Sequence, residues 1–240
     1  MARPRGLSGV DRGGQADAGR VQGPLPRVAL FLAAFFLAWT IRATVLFPLD
    51  ERIAAGWPRQ VYANAVKFAL WVVPVVLYLR YVDGTNLFGY LRLTTPPRWA
   101  GLVRAAVVAV LFFALAFAGP VATRGVGAFS IDPGRAAAIL ASVAVSPVWE
   151  EVLFRGFIFG KLREQTRFWT ANLATAVLFV AVHWPHWLWS DGPRADLLAT
   201  SAGVLALALV LGYLVEQTNS LWLAVVVHIA NNFLVALLRG

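Results

Sequence analysis

The residues of this chain that could do chemistry are acidic and imidazole side chains placed inside apolar segments. The stretch SPVWEEVLFRGFIFGKL holds Glu150 and Glu151 side by side. His183 lies in LFVAVHWPHWLW and His228 in LAVVVHIANNF, where Asn232 follows four residues later. The chain has no cysteine, which excludes thiol catalysis and thiolate metal sites. Carboxylates and imidazoles without a thiol indicate hydrolysis by an activated water molecule, with or without a metal ion.

Helical spacing predicts how these groups face one another. Glu151 and Arg155 are four residues apart and are predicted to form an ion pair on one helix face. Glu150 lies about 100° around the helix from its neighbour, so it is predicted to point elsewhere without Arg155 as a partner. His228 and Asn232 share one face and can present hydrogen-bond donors of the kind that stabilise an oxyanion.

Each group also has a purely structural interpretation. The two glutamates and Arg155 can lie at a helix end, with their charges in the lipid headgroup layer. His228 and Asn232 can hydrogen-bond between helices, as such residues do in membrane bundles. Serine and zincin-type catalysis are disfavoured, because Ser146 lies outside any G-x-S-x-G motif and the chain lacks H-E-x-x-H. Two histidine-bearing segments beside a glutamate-bearing one favour a functional site.

The composition predicts that these residues lie in a membrane. Hydrophobic residues make up 59% of the 240 positions and charged residues only 14%, and mean hydropathy is +0.68. Several segments approach or exceed the roughly 18 to 20 apolar residues that cross a bilayer as a helix. These segments lie at about 28–48, 62–80, 102–120, 136–160, 168–189, 197–215 and 220–238. We therefore predict an all-α polytopic transmembrane helix bundle of about seven spans.

The distribution of basic residues predicts the partners and the orientation. The basic residues are spread along the chain, which favours membrane loops over a nucleic-acid interface despite the net charge of +9. Residues 1–27 are rich in Gly, Pro and Arg and are predicted to form a disordered basic tail. Because the tail and the connections on its side carry most of the basic residues, we predict a multi-pass cell-membrane protein with a cytoplasmic N-terminus.

Three short motifs occur in separate predicted spans: EEVLFR at 150–155, FVAVH at 179–183 and HIANN at 228–232. In this order they resemble the signature of the CPBP family of intramembrane proteases, also called the CAAX prenyl protease and bacteriocin-processing or Abi family. The similarity covers roughly residues 100–238, the motif-bearing core of a transmembrane domain at 28–240. It implies an intramembrane endopeptidase, and the best-known members of the family remove the last three residues of prenylated CAAX proteins.

The resemblance also implies a role for each matching residue. Glu150 would be the general base that activates water, and His183 would help to hold that water. His228 and Asn232 would form the oxyanion hole, and the ion pair of the first motif would support the helix that carries the base. The family is described both as metalloproteases and as glutamate proteases. Glu150, His183 and His228 can ligate Zn²⁺ in a site with an open position, or they can position water directly.

One further histidine lies outside the motifs. Pro185 is predicted to end or distort the helix that carries His183. His186 is then interpreted as an interfacial residue of an aromatic belt with Trp184, Trp187 and Trp189.

Two other functions are compatible with the same residues. The first is a non-catalytic membrane scaffold or immunity-type protein, although the complete motif set favours an enzyme. The second is a transporter that uses Glu150 and the histidines as a proton or cation relay, although no repeated half is visible in the sequence. The predicted partners of an enzyme are the lipid bilayer and a membrane-associated protein or peptide, prenylated in the family's best-known case.

Overall fold

The computed structural model describes residues 25–125, 129, 141–189 and 196–238, and within them every regular element is a helix. The helices, with the π-helical turns that lie within them, are α1 (Leu25–Thr44), α2 (Trp57–Val82), α3 (Leu87–Tyr90), α4 (Trp99–Arg124), α5 (141–163), α6 (Phe168–Ala181), α7 (Trp184–Trp189), α8 (Leu197–Thr218) and α9 (Leu221–Leu238). A 3₁₀ helix, Phe47–Arg52, follows α1. The prediction of an all-α membrane helix bundle is confirmed.

Five of the described helices are long and apolar enough to cross a membrane, namely α1, α2, α4, α8 and α9. The remaining two predicted spans correspond to α5 and α6. Helix α5 carries Glu150, Glu151 and Arg155 in its middle, so its sequence is less apolar than that of a lipid-facing span. Helix α6 is shorter because the chain turns at Val182 before α7, as predicted from Pro185. A multi-pass membrane protein follows from these helices.

The N-terminal boundary differs slightly from the prediction. Helix α1 begins at Leu25, three residues before the predicted start of the first span. Pro26 lies in its first turn, where proline is well tolerated because its ring fixes a helical φ and the missing N–H has no intrahelical partner. The remainder of the predicted tail, residues 1–24, and the predicted start of the fourth span, 136–140, lie outside the described residues.

Helix α5 runs through the centre of the described bundle. All residues from Val152 to Phe159 are buried. The Phe154 ring packs edge to face on Phe179 of α6 with ring centroids 4.9 Å apart, and Phe157 packs at 4.8 Å on Phe31 of α1. A helix that is apolar on every side is stable only when other elements surround it. Glu151 and Arg155 therefore face protein and not lipid.

A π-helical turn lies next to the paired glutamates. It covers Val152–Ile158 and begins directly after the α-helical turn Ser146–Glu151. A π turn inserts an extra residue into the helical ladder and rotates the following side chains relative to the preceding ones; such turns are frequent at functional sites. A second π turn, Phe68–Val72, interrupts α2 where it passes α5.

Small residues allow α8 to approach its neighbours closely. A Cβ atom at Gly101 of α4 would collide with the main-chain carbonyl of Gln217, and one at Gly212 of α8 would collide with the Asn172 carboxamide of α6. Nδ2 of Asn172 donates a hydrogen bond to the Leu209 carbonyl at 3.0 Å. Close backbone approach and side-chain hydrogen bonds are the usual means by which membrane helices associate.

The turn between α8 and α9 sets the position of the last motif. Asn219 adopts a left-handed conformation with φ +56° and ends α8 at Thr218. Helix α9 begins two residues later at Leu221 and runs antiparallel to α8. This sharp reversal brings the HIANN segment of α9 against α5.

The end of the bundle opposite the glutamates is held by polar contacts. Lys161 Nζ lies 2.8 Å from Asp83 and 2.9 Å from Glu164. The Tyr90 hydroxyl donates to the Glu164 carboxylate at 2.5 Å. Burial, followed by this hydrogen bond, raises the pKa of the Tyr90 phenol above its ordinary value, so the hydroxyl stays protonated and remains a donor.

Candidate active site

Glu150 is buried in α5, and its two carboxylate oxygens have different surroundings. Oε1 lies 2.5 Å from Nζ of Lys67 and accepts a hydrogen bond from the Ser146 hydroxyl at 2.9 Å. Oε2 faces Nε2 of His228 at 3.8 Å. One oxygen is therefore fixed by two donors, while the other lies toward the histidine and the adjoining cavity.

Lys67 also belongs to this site, although the sequence analysis assigned no role to it. It comes from α2, and its ammonium lies 4.3 Å from the centre of the Trp71 ring as well as against Glu150. A signal was present in the sequence, since a lysine inside an apolar span requires an acidic partner. Helical spacing predicted only that Arg155 does not pair with Glu150, and the structure pairs Glu150 with Lys67.

The predicted ion pair between Glu151 and Arg155 is confirmed. Nη1 of Arg155 lies 3.0 Å from Oε1 of Glu151, and both side chains are fully buried. The guanidinium also donates to the Ala208 carbonyl of α8 at 3.1 Å and lies over the Phe179 ring at 4.3 Å. These contacts connect α5 to α6 and α8, so the pair fixes the position of the glutamate-bearing helix.

Glu151 also orients the histidine of α9. Its Oε1 atom lies 2.7 Å from Nδ1 of His228. Because a carboxylate accepts hydrogen bonds, Nδ1 carries a proton and Nε2 is the atom directed at Glu150. The predicted oxyanion role for His228 therefore requires the doubly protonated imidazolium, since a neutral ring with a proton on Nδ1 has only a lone pair at Nε2.

His183 lies in the turn after α6 and is oriented by the backbone. Nδ1 lies 2.7 Å from the Phe179 carbonyl one turn earlier, so Nδ1 carries the proton. The imidazole packs on Trp187 of α7, with ring centroids 5.1 Å apart. The remaining nitrogen of a neutral His183 is an acceptor, which suits a residue that positions water.

A cavity of about 780 Å³ brings the predicted residues together. Glu150, His183, His228 and Asn232 all line it. Nδ2 of Asn231 donates to Oδ1 of Asn232 at 3.3 Å, which leaves the Asn232 amide as a donor. The four residues assigned from the motifs thus line one cavity.

Helix α7 carries the four residues that the sequence predicted to form an interfacial belt, Trp184, His186, Trp187 and Trp189. His186 and Trp187 both line the cavity. The His186 ring also packs against Phe47 at 5.1 Å between ring centroids. The chain turns at Val182 and His183, and two residues of α7 thereby lie against the cavity. Trp184 and Trp189 are exposed, and the interfacial belt stays a prediction.

Some properties of the residues considered as metal ligands favour a metal ion, and others oppose it. Both histidines donate from Nδ1 to an oxygen, an arrangement that is common among metal ligands. However, no group of three His, Asp or Glu side chains in the described part of the chain is placed to hold a metal ion. The Lys67 ammonium also lies against Glu150 and repels a cation there. Zinc bound by Glu150, His183 and His228 stays a prediction.

The helices and the cavity define a polytopic membrane protein with a buried carboxylate and histidine site. Residues 132–234 match the family model described as "Type II CAAX prenyl endopeptidase Rce1-like". This match confirms the resemblance to the CAAX prenyl protease family. The match includes Glu150, His183, His228 and Asn232, whereas Lys67 lies outside it.

A curated protein shows a similarity of more limited extent. The Bacillus subtilis (strain 168) protein named "Putative membrane peptidase YdiL" is 31% identical over 101 residues, which are 42% of this chain. The matched part spans 36% of that relative's length. No solved structure matches the chain.

Proposed function

We propose that the chain is an intramembrane endopeptidase that hydrolyses a peptide bond of a membrane-associated protein through water activated by Glu150. The observation that carries this proposal is the asymmetric setting of the Glu150 carboxylate, with one oxygen held by Lys67 and the other directed to His228. A general base must be ionised and must have an oxygen available to the reacting water. The match to Rce1-like peptidases supports the reaction class.

The proposed reaction begins with a water molecule between Oε2 of Glu150 and the acceptor nitrogen of His183. Glu150 removes one proton as the water oxygen attacks the peptide carbonyl carbon. The carbonyl oxygen becomes an oxyanion, which the Asn232 amide and a protonated His228 stabilise by hydrogen bonds. The proton on Glu150 then passes to the leaving amine as the C–N bond breaks, which regenerates the carboxylate.

Lys67 is proposed as a positioning residue for this reaction. Its ammonium and the Ser146 hydroxyl occupy Oε1, so the proton is transferred through the other oxygen. The positive charge also favours the ionised form of the buried carboxylate. The proposed mechanism has no step that requires zinc.

The substrate class rests on the family and on the cavity lining. The matching family is described by its CAAX prenyl endopeptidase activity. The cavity has an apolar wall suited to a lipid-modified or apolar peptide segment, formed by residues that include Phe112, Leu115, Phe117, Leu207 and Val235. C-terminal processing of a prenylated peptide is therefore the form of the activity that we propose to test first.

The test uses purified protein in proteoliposomes and a panel of membrane-tethered peptides that includes a farnesylated CAAX peptide and its unprenylated form. We expect cleavage of at least one peptide, detected by mass spectrometry, and unchanged rates after exhaustive treatment with a zinc chelator. Loss of activity on chelation with recovery on adding Zn²⁺ would contradict the metal-free mechanism. Proton or cation flux in the same vesicles without any cleavage would favour the transporter.

Replacing Lys67 by Met is expected to lower kcat by about 10²-fold with little change in KM, because the base loses the group that orients it. Lys67→Arg retains the charge and should recover a measurable part of that loss. Lys161→Met is the matched control, since it removes another buried, ion-paired lysine at the far end of α5. A kcat for Lys67→Met equal to that of this control would contradict the positioning role.

A further inference from the structure

A second, polar cavity of about 270 Å³ lies beside the catalytic cavity. We call it the polar chamber. Its polar lining residues are Arg42, Asp50, Gln60, Asn64, Lys67, Ser146 and His186. They come from α1, the 3₁₀ helix, α2, α5 and α7. The motifs and the proposed mechanism leave the first four of these residues without a role.

Three residues that line the polar chamber carry buried polar atoms without a protein partner. Arg42 and Asp50 form an ion pair at 2.5 Å, and each side chain is 10% exposed. Nε of Arg42, Oδ1 of Asp50 and Oδ1 of Asn64 nevertheless have no hydrogen-bond partner. Buried polar atoms are almost always satisfied by protein or by ordered water.

The chemistry of these atoms indicates which ligand the chamber takes. Arg42 Nε is a donor, and Oδ1 of Asp50 and Oδ1 of Asn64 are acceptors. The charges of Arg42 and Asp50 neutralise each other. An anion or a cation would be attracted by one partner of this pair and repelled by the other, whereas water can donate and accept. The volume is sufficient for several water molecules, since a cavity of about 10 to 15 Å³ already holds one.

The polar chamber is separated from the catalytic base by a single layer of side chains. Lys67 and Ser146 line the chamber and also contact Oε1 of Glu150. His186 lines both the chamber and the catalytic cavity. A route from the chamber to the carboxylate therefore passes only Lys67, Ser146 and His186, all of which are polar.

We propose that the polar chamber is a water-binding site that supplies the hydrolytic water to Glu150. Each peptide bond cleaved consumes one water molecule, and a peptide lying in the catalytic cavity displaces the water held there. A separate hydrated chamber on the other side of Lys67 replaces that water without release of the substrate. This inference rests on the proposed peptidase function for its catalytic part, whereas the hydration of the chamber can be tested independently.

The absence of native cysteine makes hydration directly measurable, because a single introduced thiol reports on its own surroundings. Ala63 lines the polar chamber, whereas Ala65 is exposed on the outer face of the same helix. Thiols react with iodoacetamide as thiolates, which form readily in water and poorly in lipid. We expect Ala63→Cys to react at least about 10-fold faster than Ala65→Cys in proteoliposomes. Equal rates, or faster reaction at position 65, would overturn the proposal of a hydrated chamber.

The supply role is tested by filling the chamber with a large side chain. Ala63→Phe is expected to lower kcat about 10-fold without raising KM, whereas Ala65→Phe should stay within about twofold of wild type, because only the first blocks the path of the reacting water. Wild-type kcat in a folded Ala63→Phe protein would overturn the supply role. If wild type cleaves no peptide in the panel, the peptidase proposal fails, and the cysteine pair still decides whether the chamber is hydrated.

Discussion

Glu150→Gln is expected to lower kcat for peptide cleavage by about 10³-fold, because a carboxamide cannot accept the proton of the attacking water. The substitution keeps the size of the side chain and its ability to accept a hydrogen bond from Ser146. Steady-state cleavage in proteoliposomes measures the loss, and gel filtration with circular dichroism establishes that the variant is folded. An active Glu150→Gln protein would contradict the assignment of Glu150 as the base.

Ser146→Ala is the informative control for that variant. Ser146 lies 2.6 Å from Nζ of Lys67, a separation that would also suit a serine nucleophile with a lysine base. However, Lys67 pairs with Glu150, and the Ser146 hydroxyl donates to the same carboxylate. We therefore expect Ser146→Ala to cost less than about 10-fold in kcat, as loss of one orienting hydrogen bond. A loss as large as that of Glu150→Gln would favour serine catalysis.

Arg155→Met is expected to destabilise the fold by about 3 to 5 kcal/mol, because it leaves Glu151 as a buried charge without its cation. The substitution also removes the contacts of the guanidinium with the Ala208 carbonyl and the Phe179 ring. Thermal unfolding in detergent should show a large fall in Tm. A second substitution, Glu151→Gln, should recover part of the loss, because the unpaired charge is then removed.

An exposed ion pair provides the matched control for Arg155. Arg163 lies 2.9 Å from Glu216, and the two side chains are 29% and 27% exposed. Arg163→Met is expected to cost at most about 1 kcal/mol, since solvent screens the pair and solvates the remaining carboxylate. Equal shifts in Tm for Arg163→Met and Arg155→Met would contradict the structural role assigned to the buried pair.

The sequence was sufficient for the local features of the site. The pairing of Glu151 with Arg155 follows from helical spacing alone, because both residues lie on one helix and within one turn. The end of α6 before Pro185 follows from the steric properties of proline. The roles given to His183, His228 and Asn232 came from ordered motifs, and the structure places these residues around one cavity.

The features that could not be predicted from the sequence depend on contacts between distant segments. Lys67 precedes Glu150 by 83 residues, and no periodicity relates two helices that are so far apart in the chain. The position of His186 depends on how α7 folds back after the turn, which helical spacing does not determine. The polar chamber is formed by four separate helices and the 3₁₀ helix, so it exists only after they have packed.

Product analysis in ¹⁸O-labelled water tests most directly whether this chain hydrolyses a peptide bond with water activated by Glu150. Proteoliposomes of wild type and Glu150→Gln would be incubated with the membrane-tethered peptide panel, and the products analysed by mass spectrometry. The wild type is expected to give two fragments, with ¹⁸O in the newly formed carboxyl group, and the variant none. Intact peptides with folded wild type, or the same labelled fragments from the variant, would contradict hydrolysis by water that Glu150 activates.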